Sequence, residues 1–239
     1  MSSIPYPLDP MGSTNRGSYF ELVVKPGILG DSLTYGFTPS WNAGGYCKVV
    51  DWGDGSGEDA VTSDALITHT YAVAGTYTIL IKAYCYKINF GVSPYNTLLY
   101  DANGDWDALG NITNGSYMFS GCRNATLPLT SLPDGLTNAA SIFQNCTKAT
   151  LTLTSLPDGL TRVNYMFNYC VKAVINLDDL TANAPKGGWT GVTSIKNMFF
   201  DAGSDNSPGT VTGSRSAFLA KFPNVTDTDN AFYGTNTTE

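Results

Sequence analysis

The sequence predicts a mainly β protein with two parts, a strand sandwich followed by a short solenoid of stacked repeats. Composition is the first observation: 42% of the 239 residues are hydrophobic, only 14% are charged, and there are 25 Gly and 12 Pro. Such a composition suits short strands joined by many turns rather than helices. The second observation is a series of strand patterns over residues 20–90, and the third is a near-repeat with a 24-residue step over residues 117–184.

The first part carries the turn signals of an antiparallel sandwich. Apolar and β-branched runs occur at residues 20–24, 46–52, 66–71 and 76–84, and GDGSG at 53–57 is a strong turn signal. Several short strands at this spacing predict two packed antiparallel sheets. We expect Trp52 to fill their core beside Tyr71 and Tyr77, and Asp54 to accept hydrogen bonds from turn amides.

Three motifs in this part resemble one family. They are VDWGDG at 50–55, HTY at 69–71 and GTYTI at 75–79. In this order they resemble the PKD-type (polycystic kidney disease) immunoglobulin-like domain over residues 18–90. The resemblance implies a β-sandwich used as a spacer or adhesion module, outside cells or on particles, without a catalytic site.

His69 is the only histidine, so a functional role has to be weighed. A general base or a metal ligand needs partners, and scattered carboxylates offer few. We therefore expect a strand histidine hydrogen-bonded near the WGDG turn. A weak Ca²⁺ site at Asp51, Asp54, Glu58 and Asp59 is the alternative, although these residues lack the spacing of a dedicated calcium loop.

The repeat defines the second part. The pairs Phe119/Cys122, Phe143/Cys146 and Phe167/Cys170 recur every 24 residues. Within each repeat an LxL pattern predicts a short strand with both apolar side chains inward, at 127/129, 151/153 and 175/177, and Pro-Asp-Gly predicts a turn in the first two repeats. A fixed period of this length is typical of units that bury their apolar faces against neighbours.

Two later repeats are less regular. NMFF at 197–200 and NAFYG at 230–234 follow after longer steps, so the extra residues around 184–189 and 205–216 are expected to be loop insertions. Residues 216–222 are the best helix candidate in the chain. Atypical terminal repeats are expected to cap the stack.

The repeat pattern resembles the BspA-like leucine-rich repeats over residues 112–235. Its elements are [MI]F, then Cys or a small residue, then LxLxxLPxxL and an NVT step. This family occurs in bacterial surface adhesins and in some bacteriophage proteins. The resemblance implies a leucine-rich-repeat solenoid, whose ligand depends on variable exposed positions.

The candidate binding surface consists of exposed repeat positions. Two exposed aromatic residues could stack on sugars. The candidates are Thr126, Thr130, Thr150, Thr152, Thr154, Trp189 and Tyr233. A solvated strand face with good β-propensity is the alternative explanation for the threonines.

Five cysteines are too few for a disulfide scaffold in a chain of this length. Cys122, Cys146 and Cys170 share a repeat position, which favours buried packing thiols over bridges. Cys47 and Cys85 fall in different predicted strands and could pair; the sequence leaves this open.

Charge and motifs argue against several function classes. A net charge of −7 with 13 basic residues disfavours nucleic-acid binding. No apolar run approaches the ~20 residues of a membrane helix, so we expect no membrane insertion. We find no phosphate loop, CxxC or HExxH motif and expect neither catalysis nor a cofactor. A paired-carboxylate glycosidase site at Asp101, Asp105 and Asp107 is the enzymatic alternative.

We divide the chain into an extended arm (1–18), a PKD-like sandwich (19–92), a linker or cap (93–111) and the solenoid (112–239). The N-terminus lacks the pattern of a secretory signal. We therefore expect a bacteriophage virion accessory protein on the head or tail surface. It would contact other virion proteins through its arm and a host glycan or protein through the solenoid. The alternative is a bacterial cell-surface or secreted adhesin.

Overall fold

The computed structural model describes residues 19–42, 44–57, 59–61, 63–204 and 210–239. The predicted arm (1–18), Glu58 and residues 205–209 of the second predicted insertion lie outside these ranges. The described chain is mainly β, as the sequence predicts. Its strands are β1 (Phe20–Val24), β2 (Thr34–Ser40), β3 (Tyr46–Asp51), β4 (Asp59–Val61), β5 (Ile67–Thr70), β6 (Tyr77–Tyr84), β7 (Lys87–Asn89), β8 (Leu99–Gly104), β9 (Val174–Asn176) and β10 (Thr210–Thr212).

Helices are short. The two α-helices among the described residues are α1 (Leu177–Ala182) and α2 (Arg215–Leu219), and two 3₁₀ helices span Tyr95–Leu98 and Trp106–Leu109. Asn176 and Ser214 cap the α-helices by accepting hydrogen bonds from the backbone N–H groups of Asp178 and Ala217. These are the side-chain caps expected at a helix start.

Residues 19–104 form two antiparallel sheets. One has the strand order β4-β3-β6-β1-β8 and the other the order β5-β2-β7. In β1 the side chains of Phe20, Leu22 and Val24 are buried whereas Glu21 is exposed. This alternation places one face of the strand in the core.

Aromatic rings connect the two sheets. Phe20 of the five-stranded sheet stacks on Phe90, which follows β7, with ring centroids 5.7 Å apart. Phe37 of β2 contacts Phe90 at 5.5 Å and Trp52 at 6.3 Å. The predicted core position of Trp52 beside Tyr71 is confirmed: both side chains are buried, and the Tyr71 hydroxyl donates to the Trp52 carbonyl.

The repeats stack in parallel on this part. Parallel bridges link Lys87 to Asn114, Asn114 to Asn138, and Asn138 to Arg162. Since the last two steps are 24 residues long, one sequence period advances the chain by one neighbour in the stack. We call the five tight segments at 117–121, 141–145, 165–169, 197–201 and 230–234 rungs 1 to 5 and number their residues one to five; the three residues before each segment continue its hydrogen bonds and are counted with it.

Every rung uses left-handed backbone at its first and fifth residues. The first positions have φ between 50° and 62°, and the fifth between 51° and 74°. The first positions are Tyr117, Ser141, Tyr165, Asn197 and Asn230, and the fifth are Gly121, Asn145, Tyr169, Asp201 and Gly234. With this geometry, N–H groups two residues apart all donate to the next rung: Tyr117 to Ala140 (3.2 Å), Phe119 to Ile142 (2.9 Å) and Gly121 to Gln144 (2.7 Å).

A phenylalanine column runs through the stack. The rings of Phe90, Phe119, Phe143, Phe167, Phe199 and Phe232 follow one another at centroid distances of 5.3–5.9 Å. Beside it, the thiols of Cys146 and Cys170 donate to the carbonyls of Phe119 and Phe143. All five cysteines are buried and free, which confirms packing thiols and answers the open question on Cys47 and Cys85.

Several local expectations were wrong. The LxL leucines are buried as expected, but 127–129 and 151–153 form no regular strand, and Leu127 is left-handed (φ 43°). Only the third repeat has a strand there, β9, and α1 follows it at once. The segment predicted as a linker or cap, 93–111, contains β8, which pairs with β1. The helix expected at 216–222 is α2, which begins one residue earlier and ends at Leu219.

Candidate binding surface

The predicted threonines lie on the outside of the stack, next to buried leucines. Thr126, Thr130, Thr152 and Thr154 are exposed and Thr150 is half-buried. The Thr150 backbone N–H donates to the Thr126 carbonyl at 2.8 Å, and the Thr126 N–H donates to Tyr100 at 3.0 Å. The structure therefore places Thr126 and Thr150 next to each other in the first two repeats.

Two of these hydroxyls make intramolecular hydrogen bonds. The Thr126 side chain donates to the Tyr100 carbonyl and that of Thr150 to the Thr126 carbonyl, each at 3.4 Å. Thr137 and Thr161 make the same contact at another edge, 3.0 Å to the carbonyl one repeat earlier. Thr137, Thr150 and Thr161 thus join neighbouring repeats, and Thr126 joins the first repeat to β8. These contacts explain the periodic occurrence of the four threonines without a ligand.

Trp189 is not a surface residue, and its place among the candidates was wrong. Its side chain is only 1% exposed. The indole Nε1 donates to the Pro157 carbonyl at 2.9 Å, and the ring stacks on Phe222 at 4.9 Å. Trp189 therefore fills core space between the turn of the second repeat, at Pro157, and Phe222.

Tyr233 is exposed, as expected, and it is not isolated. Its side chain is 62% exposed and its ring stacks on that of Phe200 at 4.8 Å, with the planes 18° apart. Tyr169, 41% exposed, meets the edge of Phe200 at 5.3 Å. We call Tyr169, Phe200 and Tyr233 the aromatic patch.

The backbone of the rungs positions the patch. Tyr169 and Asp201 occupy the left-handed fifth positions of rungs 3 and 4, and each donates its N–H to the next rung, to the carbonyls of Phe200 and Tyr233, both at 2.8 Å. A left-handed tyrosine costs about 1–2 kcal/mol. The stacked rungs hold that conformation, so the three rings are fixed relative to one another.

In the rungs before the aromatic patch, polar side chains occupy the repeat position of its Phe200 and Tyr233. The side chain of Gln144 donates from Nε2 to Oδ1 of Asn168 at 3.2 Å. The repeat position of Gln144 and Asn168 is that of Phe200 and Tyr233 in rungs 4 and 5. Amides in the regular rungs and aromatic rings in the last two therefore form one continuous stripe.

Alignment on the phenylalanine column would have revealed this stripe from sequence. The residue after the column phenylalanine is Ser120, Gln144, Asn168, Phe200 and Tyr233 in rungs 1 to 5. The change from polar to aromatic was the missed signal. Tyr169 carried no such signal, because only the fold shows that its ring meets the next rung's position.

His69 belongs to the turn of the two-sheet part, as expected. Its Nε2 lies 2.8 Å from Oδ2 of Asp54, and its ring stacks on Trp52 at 4.8 Å. The Asp54 carboxylate also accepts a hydrogen bond from the Ser56 backbone at 3.0 Å. Hydrogen bonds from Ser56, and then from His69, lower the pKa of Asp54 to about 2.

Two further acidic residues of the considered calcium site, Asp51 and Asp59, also have protein partners, and Glu58 lies outside the described residues. Asp51 accepts from the Gly53 N–H at 2.7 Å, and Asp59 accepts from the Trp52 indole at 2.8 Å. Within the described ranges no three His, Cys, Asp or Glu side chains are grouped to hold a metal ion.

The carboxylates of the enzymatic alternative line up along β8 and the helix after it. Asp101 accepts from the Ala102 N–H, and Asp105 caps the 3₁₀ helix by accepting from the Asp107 N–H at 2.9 Å. A cleft of about 390 Å³ lies between this helix and the Pro-Asp-Gly turn of the first repeat, with Trp106 in its wall. The Trp106 indole donates to Ser131 across it, which ties the β8 region to the repeats.

Comparisons of the chain with protein-family models, curated proteins and solved structures found no match. In the part of the chain that the structure describes, no helix has the length and apolar character needed to cross a membrane.

Proposed function

We propose that this chain is a non-enzymatic structural and adhesive surface protein whose repeats bind a glycan through the aromatic patch. The observation that carries the proposal is the exposed stack of Tyr233 on Phe200, with Tyr169 at its edge. Large exposed aromatic groups on a rigid scaffold are costly to leave in water and typically mark interaction sites.

The architecture we infer is a PKD-type immunoglobulin-like sandwich followed by a short BspA-like leucine-rich-repeat solenoid. Two antiparallel sheets joined by aromatic rings, with the WGDG turn closed by the Asp54–His69 contact, support the first assignment. The 24-residue step between bridged residues Asn114, Asn138 and Arg162 supports the second.

The chemistry of the stripe favours a glycan. The apolar faces of sugar rings pack on aromatic rings, and sugar hydroxyls exchange hydrogen bonds with an amide such as that of the half-buried Gln144. The low charged content of the chain, 14%, also suits a neutral ligand. A protein ligand is the competing outcome of the binding test.

The glycan proposal can be tested with the full chain on a glycan array. We expect binding to a limited set of neutral glycans, unchanged when calcium is chelated. Absence of binding, with retained binding to host-cell surface protein after deglycosylation, would replace the glycan by a protein ligand. Binding that disappears with chelation would restore the calcium site near Asp54.

The biological setting we propose is the surface of a bacteriophage virion, with a bacterial surface adhesin as the alternative. The support is the resemblance to a repeat family that occurs in both. Mass spectrometry of purified virions and of bacterial surface fractions distinguishes them: we expect peptides of this chain among the virion proteins.

A further inference from the structure

The stack of rungs has a direction, which its hydrogen bonds define. In rungs 1 to 4 the N–H groups of the first, third and fifth residues donate forward to carbonyls of the following rung. At the beginning of the stack, the Met118 carbonyl of rung 1 accepts from the N–H groups of Phe90 and Gly91 at 2.7 and 2.9 Å. The acceptor end of the stack is therefore covered by the two-sheet part.

The opposite end of the described stack is rung 5. Rung 5 accepts from rung 4 through the carbonyls of Asp229, Ala231 and Tyr233, at 2.8–2.9 Å. Its own forward N–H groups have no hydrogen-bond partner among the described residues; they belong to Thr228, Asn230, Phe232 and Gly234. We call these four groups the terminal donor edge.

The direction of these N–H groups follows from the backbone. Asn230 (φ 52°) and Gly234 (φ 73°) repeat the left-handed conformations of the earlier rungs. The intervening N–H groups of Ala231 and Tyr233 donate within the turn, to the carbonyls of Thr228 and Asn230. The forward groups therefore point away from rung 4, as their equivalents do in every earlier rung.

The edge lies in an open cleft of about 560 Å³. Residues 228 and 230–235 form one side of it, and Arg215, Ser216 and Leu219 of α2 form another. The Arg215 guanidinium lies 5.6 Å from the Phe232 ring and so packs on the end of the phenylalanine column. It does not occupy the N–H groups of the terminal donor edge.

The local charges disfavour an anion at this edge. The two nearby cations are already paired, Lys196 with Asp229 at 3.2 Å and Arg215 with Glu239 at 3.6 Å. Asp201 and Asp227 add negative charge beside the edge. Neutral oxygen acceptors are therefore favoured over phosphate or carboxylate.

The pattern of donors also selects the conformation of the occupant. A regular β-strand presents N–H and C=O groups alternately along one edge. Half of the groups facing the terminal donor edge would therefore be N–H groups, which cannot accept a hydrogen bond. A second copy of rung 5 would present the same donors. The acceptor side of a rung presents the four carbonyls that these donors need, one on every second residue. Residues 138, 140, 142 and 144 present such carbonyls to rung 1.

A further group completes the match. The Thr193 carbonyl accepts from the Thr226 N–H at 3.0 Å, continuing a column in which the Thr113 and Thr137 carbonyls accept from the next repeat. The Thr226 carbonyl has no such partner among the described residues. A following rung would supply that N–H, whereas a simple anion would be repelled by the carbonyl oxygen.

From these observations we propose that the terminal donor edge is a docking site for a partner protein that carries a repeat of the same kind with an uncovered acceptor end. Backbone hydrogen bonds then extend the stack from one polypeptide to another. This is the repeat counterpart of strand addition at a sheet edge, in which main-chain bonds give affinity. The proposal is independent of glycan binding by the aromatic patch.

The test uses the full chain with a tethered probe. A flexible Gly/Ser linker after Glu239 carries a second copy of residues 137–160, which already supply the four carbonyls to rung 1. A short flexible tether gives an effective concentration in the millimolar range, which offsets the weak binding of an unfolded peptide. The control carries the same 24 residues in scrambled order.

Amide hydrogen exchange reports the result, because a hydrogen-bonded amide exchanges only after opening. We expect exchange at residues 228, 230, 232 and 234 to slow at least tenfold with the native-sequence tether and not with the scrambled one. Unchanged exchange at these four amides, or equal slowing by both tethers, would overturn the proposal. Equal slowing of amide exchange by excess phosphate in the chain without a tether would also overturn the proposal, because it would identify an anion site instead.

Discussion

The ring of Phe143 stacks on that of Phe119 at 5.8 Å, with the planes 5° apart, although 24 residues separate the two along the chain. The contact shows how the sequence period becomes a packing distance. Each repeat contributes one ring to a column that begins at Phe90 in the two-sheet part. The column therefore couples the repeats to each other and to the rest of the core.

Removing a ring from the middle of the column should be costly. Phe143→Ala leaves a cavity with neighbouring rings on both sides, and buried Phe→Ala changes cost about 3–5 kcal/mol. We expect a loss of this size in urea unfolding. Tyr46→Ala, at an exposed strand position, is the control and should change stability by under about 1 kcal/mol. Equal losses in the two variants would show that the column is not a principal support of the stack.

Relieving a left-handed tyrosine should stabilise the protein. Tyr117 has φ 62° and is 52% exposed, so its side chain contributes little burial to offset the strain. Asn occupies the same position in rungs 4 and 5 and tolerates this conformation. We expect Tyr117→Asn to gain about 0.5–1 kcal/mol in urea unfolding. The same change at Tyr46, in a strand, should not stabilise.

Acid should weaken the WGDG turn. The pKa of Asp54, lowered to about 2, lies below the ~3.9 of an unfolded aspartate. The ionised carboxylate therefore stabilises the fold above about pH 4, and that contribution is lost as the pH falls towards 2. We expect Asp54→Asn to reduce stability at pH 6 and to flatten its decline between pH 4 and 2. An unchanged acid limb of the pH–stability curve would contradict this role.

Alkaline pH should also lower stability, through the thiols. Burial raises the pKa of Cys85 to about 12, and burial also raises the pKa of Cys122, Cys146 and Cys170. An unfolded thiol ionises near pH 8.5, so the unfolded state gains stability relative to the folded state as the pH rises above that value. We expect unfolding stability to fall above about pH 8.5, and a thiol reagent at pH 8 to modify all five cysteines only after unfolding. Rapid modification of the native chain would contradict their burial.

The sequence alone predicted the period, the inward leucines, the packing thiols and the environment of Trp52 and His69. These features depend on local motifs or on repeat register, which are visible in one dimension. Trp189 was misplaced because its burial depends on contacts with Phe218 of α2 and with Phe222, which are distant in sequence. The aromatic patch was found only in part, because the contact of Tyr169 with Phe200 joins different repeat positions.

The strand prediction at 127–129 failed for a related reason. The LxL pattern reports which side chains face inward, and the same alternation fits irregular extended backbone. Leu127 is left-handed, and the Leu129 N–H donates to the Leu127 carbonyl at 2.7 Å instead of entering a ladder. Burial was thus predictable at these positions, whereas backbone pairing was not.

The central claim, adhesion through the aromatic patch, is tested most directly by binding of a Tyr169→Asn/Tyr233→Gln variant. Both replacements are residues that the chain uses at the same repeat positions, Asn145 and Gln144, so the rungs should keep their conformation. The control is Tyr46→Gln, which replaces a tyrosine of the two-sheet part whose side chain is 46% exposed. Binding to the glycan identified on the array, or to host cells, is measured for all three proteins at equal stability. We expect the double variant to lose at least tenfold in affinity while the control binds like the original chain. Unchanged binding by the double variant, or an equal loss in the control, would contradict the assignment of the patch as the adhesive site.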